Sequence, residues 1–313
     1  MILEDFIVID QIGLFCRYGN FYLDPKEPVA TAVISHAHGD HAVGGNKTVY
    51  CTEATALFMS HRYRKFAAGE FQLQAYRETF NVGGVKISFI PAGHILGSAM
   101  VLMEYEGSRY LYTGDYKLQP DSTCEPIEFV EADVLITETT FADPATQHPA
   151  AETEILNLNK TNSNIMLGAY ALGKCQRLIS LLNVYCPQKR ILVHHSMMPF
   201  VKIYEQMGIR LGKYEIYDRK VMKNHQEHMV YLVPPMVFRS YIKAINVVRV
   251  FATGWKHLQN NQEIQLCISD HADWNDILLT VEKVKPTQVW TNHGNGLQLK
   301  QHYENSLVVK LLN

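Results

Sequence analysis

The sequence contains no CxxC pair. Its six cysteines, Cys16, Cys51, Cys124, Cys175, Cys186 and Cys267, are scattered along the chain. That distribution argues against a disulfide framework or a thiolate zinc site and for reduced thiols. No apolar run approaches the roughly 18 residues of a membrane helix, so no membrane partner is expected. The opening MILEDFIVID is acidic and lacks the basic start and apolar stretch of a secretory signal, which makes a cytoplasmic protein the default expectation. Strong charge of one sign is also missing: the net charge is −2 over 313 residues. Any affinity for a polyanion must therefore come from a local patch. Aromatic residues make up 11% of the chain and form no stacking stripe, so base readout is not expected.

What the chain does have is apolar mass. Hydrophobic residues make up 47% of it, enough for a buried core in one large domain or two smaller ones. Residues 1 to 140 read as short strands: FIVID, FYLD, ATAVISH, TVYC, VKISFIPAG, MVLMEY, RYLYTGD and DVLITET are β-rich and often end at Gly, Asp or Pro. EATALFMSHRYRKFAAG, residues 53 to 69, reads as a helix closed by Gly69. From about residue 150 the texture changes. NIMLGAY and RILVHH look like buried strands, and GKCQRLISLLNVYC and MPFVKIYEQMG like helices, a βαβ pattern. MVYLVPP, VVRVFATG and IQLCISDHA read as strands again, WNDILLTVEKVKP as a helix, TQVWTNHG as a last strand, and GLQLKQHYENSLVV as a closing helix.

Charge is uneven. Residues 160 to 223 hold eleven Lys or Arg against three acids, a local +8 that leaves −10 elsewhere. This segment is a candidate polyanion-facing patch. Within it, Lys174 and Arg177 follow a predicted strand end at a Gly-Lys turn, and Ser196 follows another; all three are candidate phosphate contacts.

The densest chemistry is TAVISHAHGDH. His36 and His38, at i and i+2 near a strand end, point to the same side and can converge on one ion. The chain then turns at Gly39, so that Asp40 and His41 can face a second ion. Imidazole nitrogen and carboxylate oxygen suit zinc, and zinc sites with an open position carry out hydrolysis. His94 in FIPAGHILGSA and Asp115 in YLYTGDYK occupy similar positions just past apolar strands. Asp24 in FYLDP could orient the site from behind.

HAHGDH, with Asp24 before it and His94 and Asp115 after, resembles the metallo-β-lactamase superfamily. LITETTF with Glu138, AYALGKCQR, CISDHADW with His271 and VWTNHGN with His293 narrow the resemblance to the β-CASP nucleases, in the right order over nearly the whole chain. Within that branch, the chain is most similar to the bacterial DNA-ligase-associated exonucleases, near the RNA 3′-end-processing factors and ribonuclease J. The resemblance implies an αββα sandwich in residues 1–145 and 259–313, with a βαβ-type β-CASP domain inserted over 146–258. It also implies two zinc ions, with manganese as a substitute: one held by His36, His38, His94 and Asp115, the other by Asp40, His41, Asp115 and His293. Asp40, His271 and Glu138 would be catalytic, with His271 as a general acid hydrogen-bonded to Glu138. The expected activity is hydrolysis of a nucleic-acid backbone, most simply by a DNA exonuclease working with a DNA ligase or other repair machinery. An RNA-processing ribonuclease is the alternative; an acyl or thioester hydrolase and an inactive nucleic-acid-binding scaffold are weaker ones.

Overall fold

The computed structural model describes residues 1–218, 228–240, 247–255, 258 and 264–312. The chain is α/β with mixed sheets and divides into two compact units. The first comprises Met1–Pro120, Cys124–Gln147 and His271–Asn313; the second comprises Asp121–Thr123 and His148–Asp270.

In the first unit, β1 (Ile7–Ile9), β2 (Leu14–Cys16), β3 (Phe21–Leu23), β4 (Thr31–Val33), β5 (Asn46–Cys51) and β6 (Ala68–Leu73) form one sheet in chain order. It is antiparallel through β3 and parallel from there on. The other sheet starts as a meander of β7 (Thr79–Val82), β8 (Val85–Pro91), β9 (Ala99–Tyr105) and β10 (Ser108–Tyr112). It continues in parallel through β11 (Val134–Thr139) and two strands from the end of the chain, Gln288–Gly294 and Val308–Leu311.

The period-2 alternation of strands sorts side chains onto two faces. Ile87, Phe89, Val101, Met103 and Tyr112 from the second sheet share a buried core with Cys16, Phe21, Leu23 and Val33 from the first, so the sheets pack face to face. The intervening Met100 and Leu102 point the other way, into a core under the helix Trp274–Val284, with Ile277, Val281 and Val284. Burial on both faces explains why MVLM is apolar without interruption. On the outer face of the first sheet, α1 (Glu53–Tyr63) packs Ala56 and Met59 against Ala32, Val49 and Cys51.

The second unit carries α2 (Ala151–Ile155), α3 (Lys174–Tyr185), α4 (Met198–Gln206) and α5 (Pro235–Ser240). Its sheet is wholly parallel, built from β12 (Asn164–Gly168), β13 (Arg190–Val193), β14 (Glu215–Ile216), β15 (Met229–Val233) and β16 (Val247–Phe251), in the order β14-β13-β15-β12-β16. In chain order the last elements of the first unit are α6 (Trp274–Val284), β17 (Gln288–Gly294), α7 (Leu297–His302) and β18 (Val308–Leu311).

Several local expectations change. The helix expected over 53–69 ends at Tyr63, and Arg64 adopts φ 55°. Gly69 lies inside β6, where a Cβ would come within 2.6 Å of the Lys47 carbonyl oxygen. That glycine serves close strand approach rather than a helix cap. The closing helix stops at His302, and Val308 and Val309 instead open the edge strand β18. IQLCISDHA forms only an isolated bridge at Leu266. The boundary expected at residues 258–259 meets residue 259, which lies outside the described residues.

α6 carries a pH signature. Asp273 caps it by accepting from the Asp276 amide. Burial, with Asp273 adding repulsion, pushes the Asp276 carboxyl up to about 6. The folded chain therefore holds this proton more tightly than the unfolded chain does. Stability is greatest below the unfolded value of 3.8 and falls as pH rises towards 6. Asp276→Asn should raise stability by about 1 kcal/mol at pH 8, the full shift being discounted for partial exposure and for the lost helix-dipole contact. It should do nothing at pH 4. Thermal melts that superimpose at pH 8 would refute this.

Candidate metal centre

His36 and His38 follow β4, and both rings turn to one point as the alternation requires. His38 Nδ1 lies 3.2 Å from His36 Nε2 and 3.0 Å from His94 Nε2. His94 comes from the loop after β8, where the Ser98 hydroxyl accepts from the His94 and Ile95 amides. In that loop Gly93 has φ 72°, and a Cβ there would press to 2.6 Å from the Lys117 carbonyl oxygen. The buried Lys117 ammonium donates to the His94 carbonyl at 2.6 Å. Asp115 leaves the end of β10 through Gly114, whose φ of 53° and contact with Ser35 admit no side chain. Asp115 Oδ2 sits at the centre: 3.4 Å from His41 Nε2, 3.5 Å from His36 Nε2, and 3.8 Å from both His94 Nε2 and His271 Nδ1.

The donor set fits a metal ion. A tetrahedral cation with metal–nitrogen bonds of about 2.0–2.1 Å places its ligand atoms roughly 3.3 Å apart. His36, His38, His94 and Asp115 present atoms at about that spacing, all within 4.8 Å of one another. The electrostatics agree. Burial pushes His36 well below the ordinary histidine range, with help from His41, which keeps it in the neutral, ligating form. Burial opposes charge on His41 too, but Asp115 and Asp24 outweigh it and hold His41 well above that range. Burial likewise opposes charge on Asp115, yet the His41 and His271 imidazoles hold its carboxyl well below the carboxylate range. The field that protonates His41 favours a cation, whose binding would displace that proton.

Asp24 lies behind the cluster. It adopts φ 43°, accepts from the Ser35 amide and hydroxyl and from the Tyr112 hydroxyl at 3.0 Å, and meets His41 Nδ1 at 2.8 Å. It thereby turns His41 Nε2 towards Asp115. Ser35 Oγ similarly lies 3.0 Å from His36 Nδ1. Such contacts fix ring orientation and tautomer. The residues expected at a second ion are drawn together less closely. Asp40 is exposed, with Oδ2 3.9 Å from His41 Nε2, while the His293 ring stacks on His41 at 4.8 Å between centroids. His293 adopts φ 48° at the end of β17.

Glu138, at the end of β11, is buried. It accepts from the Tyr116 amide at 2.9 Å and from the Thr140 hydroxyl at 2.6 Å. His271 Nδ1 lies 2.9 Å from Glu138 Oε2, and its side chain is 27% exposed where Glu138 is 1%. A polar pair with one reachable end is thus set beside the histidine cluster.

The basic segment is mostly engaged internally. Lys174 and Arg177 are buried rather than open to a phosphate: Lys174 pairs with Asp270 at 3.1 Å and Arg177 with the same carboxylate at 3.0 Å. A buried cation already matched to a carboxylate has little charge to offer a ligand. Lys189 donates to the Thr161 carbonyl, Arg190 pairs with Glu215, and Lys202 with Glu205. Arg219, Lys220 and Lys223 lie outside the described residues. Ser196 is exposed beyond β13, with Oγ 2.8 Å from His194 Nδ1.

Reading by sequence missed Ser35, Tyr112, Thr140 and Lys117. Ser35 and Thr140 adjoin residues already singled out, a signal that could have been used. Tyr112 reaches Asp24 across 88 positions, and Lys117 reads as an ordinary surface lysine; neither carries a local signal.

No family model matches the chain. The chain is 30% identical over 306 residues to "Probable DNA ligase" of Opitutus terrae, covering 92% of this chain and 29% of that protein. It is also 30% identical over 383 residues to "RNase J-like protein" of Methanocaldococcus jannaschii, covering 92% of this chain and 91% of that one. To "Endoribonuclease YSH1" of Eremothecium gossypii it is 30% identical over 189 residues, 56% of this chain and 24% of that protein. The chain thus spans under a third of the ligase and nearly all of the RNase J-like protein. Among solved structures, a protein of unknown function from Enterococcus faecalis V583 superposes with a TM-score of 0.59 over 90% of this chain and 79% of that one, at 15% identity, a likeness of fold alone. No helix among the described residues is long and apolar enough to cross a membrane. Similarity that runs almost end to end with the RNase J-like protein, along the same chain that gathers His36, His38, His94 and Asp115 at one point, makes this chain a member of the β-CASP branch of the metallo-β-lactamase superfamily.

Proposed function

We propose that this chain is a metal-dependent nuclease that hydrolyses phosphodiester bonds in nucleic acid. We read its first unit as the αββα lactamase-type sandwich and its second as the inserted β-CASP domain. The two sheets sharing one core, with α1 outside one and α6 outside the other, support the first reading. The parallel sheet with its helices supports the second. The observation that carries the function is the His271–Glu138 contact beside the histidine cluster. A phosphodiester leaving group needs a proton, and an acid held at a fixed place supplies one.

His36, His38, His94 and Asp115 would hold one divalent cation, and Asp40, His41, Asp115 and His293 a second, zinc or manganese. When bound, such a pair neutralises the phosphate oxygens and lowers the pKa of water towards about 7. The protein's own groups do the rest. Asp24 fixes His41, and Asp40 orients the attacking water. With Nδ1 turned to Glu138, His271 gives its Nε2 proton to the departing sugar oxygen, and the Glu138 carboxylate stabilises the charged ring.

The ligase relative favours DNA as substrate and a DNA ligase as partner. The RNase J-like relative supports RNA equally. The test is to offer end-labelled single- and double-stranded DNA and RNA, beside an acyl thioester, to protein loaded with Zn²⁺ or Mn²⁺. Cleavage of nucleic acid is expected, and the preferred strand type assigns the substrate. Turnover of the thioester alone would overturn the proposal.

A further inference from the structure

We infer that Arg177 and Lys174 are positioning residues for the acid: they hold the three residues that lead into His271. This rests on the reading of His271 as the proton donor. Lys174 Nζ donates to the Ile268 carbonyl and pairs with Asp270 at 3.1 Å. Arg177 NH1 donates to the Ser269 carbonyl at 2.6 Å and to Asp270 Oδ1 at 3.0 Å, while its Nε lies 3.6 Å from Asp121 Oδ2. Just upstream, the Cys267 amide donates to Glu154 at 2.7 Å. Downstream, the Ala272 amide donates to the Tyr116 carbonyl at 2.7 Å, and Asp273 caps α6.

No regular ladder secures residues 267 to 271. Side chains from one turn of α3 take its place, reaching about 90 positions along the chain. Ile268, Ser269, Asp270, Ala272 and Asp273 are all buried, and only His271 in this run is partly open. A fixed backbone on both sides leaves the His271 ring little freedom except rotation, which Glu138 then stops. Arginine adds a second reach that lysine lacks: while NH1 serves the Ser269 carbonyl and Asp270, its Nε faces Asp121. Two buried cations around one aspartate are an improbable investment for packing alone, since apolar side chains would fill the space without the desolvation cost.

The experiment compares Arg177→Met and Arg177→Lys with His271→Ala on two substrates: an oligonucleotide, and a p-nitrophenyl phosphodiester of thymidine, whose leaving group needs no proton. Misplacing an acid should lower kcat on the oligonucleotide about 10- to 100-fold in Arg177→Met with KM little changed, and should spare the nitrophenyl ester. Arg177→Lys should recover part of the loss. Hydrogen exchange over residues 266–272 should quicken while metal content stays at the wild-type level. Equal loss on both substrates, or wild-type rates with unchanged exchange, would overturn the inference. If His271→Ala itself spares the oligonucleotide, the acid reading fails instead, and exchange at 266–272 alone decides whether Arg177 holds the segment. Should Arg177→Met not fold, Arg177→Lys and Lys174→Arg carry the same readouts.

Discussion

Asp115→Asn should reduce nucleic-acid hydrolysis on the order of 10³-fold or more, because it weakens the grip on metal ions worth several kcal/mol to the transition state. The physical case is the position of one oxygen. Asp115 Oδ2 stands within 3.4 to 3.8 Å of nitrogens from His36, His41, His94 and His271. Asparagine keeps the shape but takes away the negative charge around which four imidazoles gather. Neutral imidazoles bind cations less tightly without a carboxylate among them, and His41 loses one of its two facing carboxylates, keeping only Asp24. Metal content measured on the purified variant should fall together with the rate. A variant that keeps wild-type metal content and wild-type turnover would remove Asp115 from the centre of the site.

His271→Ala should cost about 10²–10⁴-fold in kcat on a nucleic-acid substrate, the usual contribution of a placed acid. Glu138→Gln should cost less, about 10- to 100-fold, because glutamine can occupy the same place but cannot balance a charged imidazole. The Glu138 carboxylate already accepts from the Tyr116 amide and the Thr140 hydroxyl, so the side chain should stay put in the glutamine variant. If the two residues act as a unit, the double variant should be scarcely slower than His271→Ala alone. Losses that multiply would show two independent roles, and an undiminished His271→Ala would end the acid assignment.

The legible part of this protein was its local chemistry. His36, His38, Asp40 and His41 stood out because metal-competent side chains crowd six positions after an apolar strand, and Asp24, His94 and Asp115 because each lies just past another; Glu138, His271 and His293 stood out only through the resemblance to the β-CASP motifs. Strands with both faces covered read as continuous apolar runs, so β8 through β11 were plain. Short, half-exposed segments such as β6, β7 and β18 were not, because their pairing depends on a neighbour elsewhere in the chain. Gly69 shows the ambiguity well. The same residue closes a helix or lets two strands approach, and the sequence around it does not say which.

By itself the sequence marked a cluster of metal-competent side chains, since spacing near a strand end already points His36 and His38 to a common side, while its likeness to known motifs marked the candidates for moving a proton. Only the tertiary structure decided what the charges do. It turned Lys174 and Arg177 inward to Asp270, brought Tyr112 to Asp24, and gave Glu138 its three hydrogen-bond contacts. The reason is range: a ligand motif is fixed by a few neighbouring backbone angles, whereas the partner of a buried charge is chosen by packing across the whole chain.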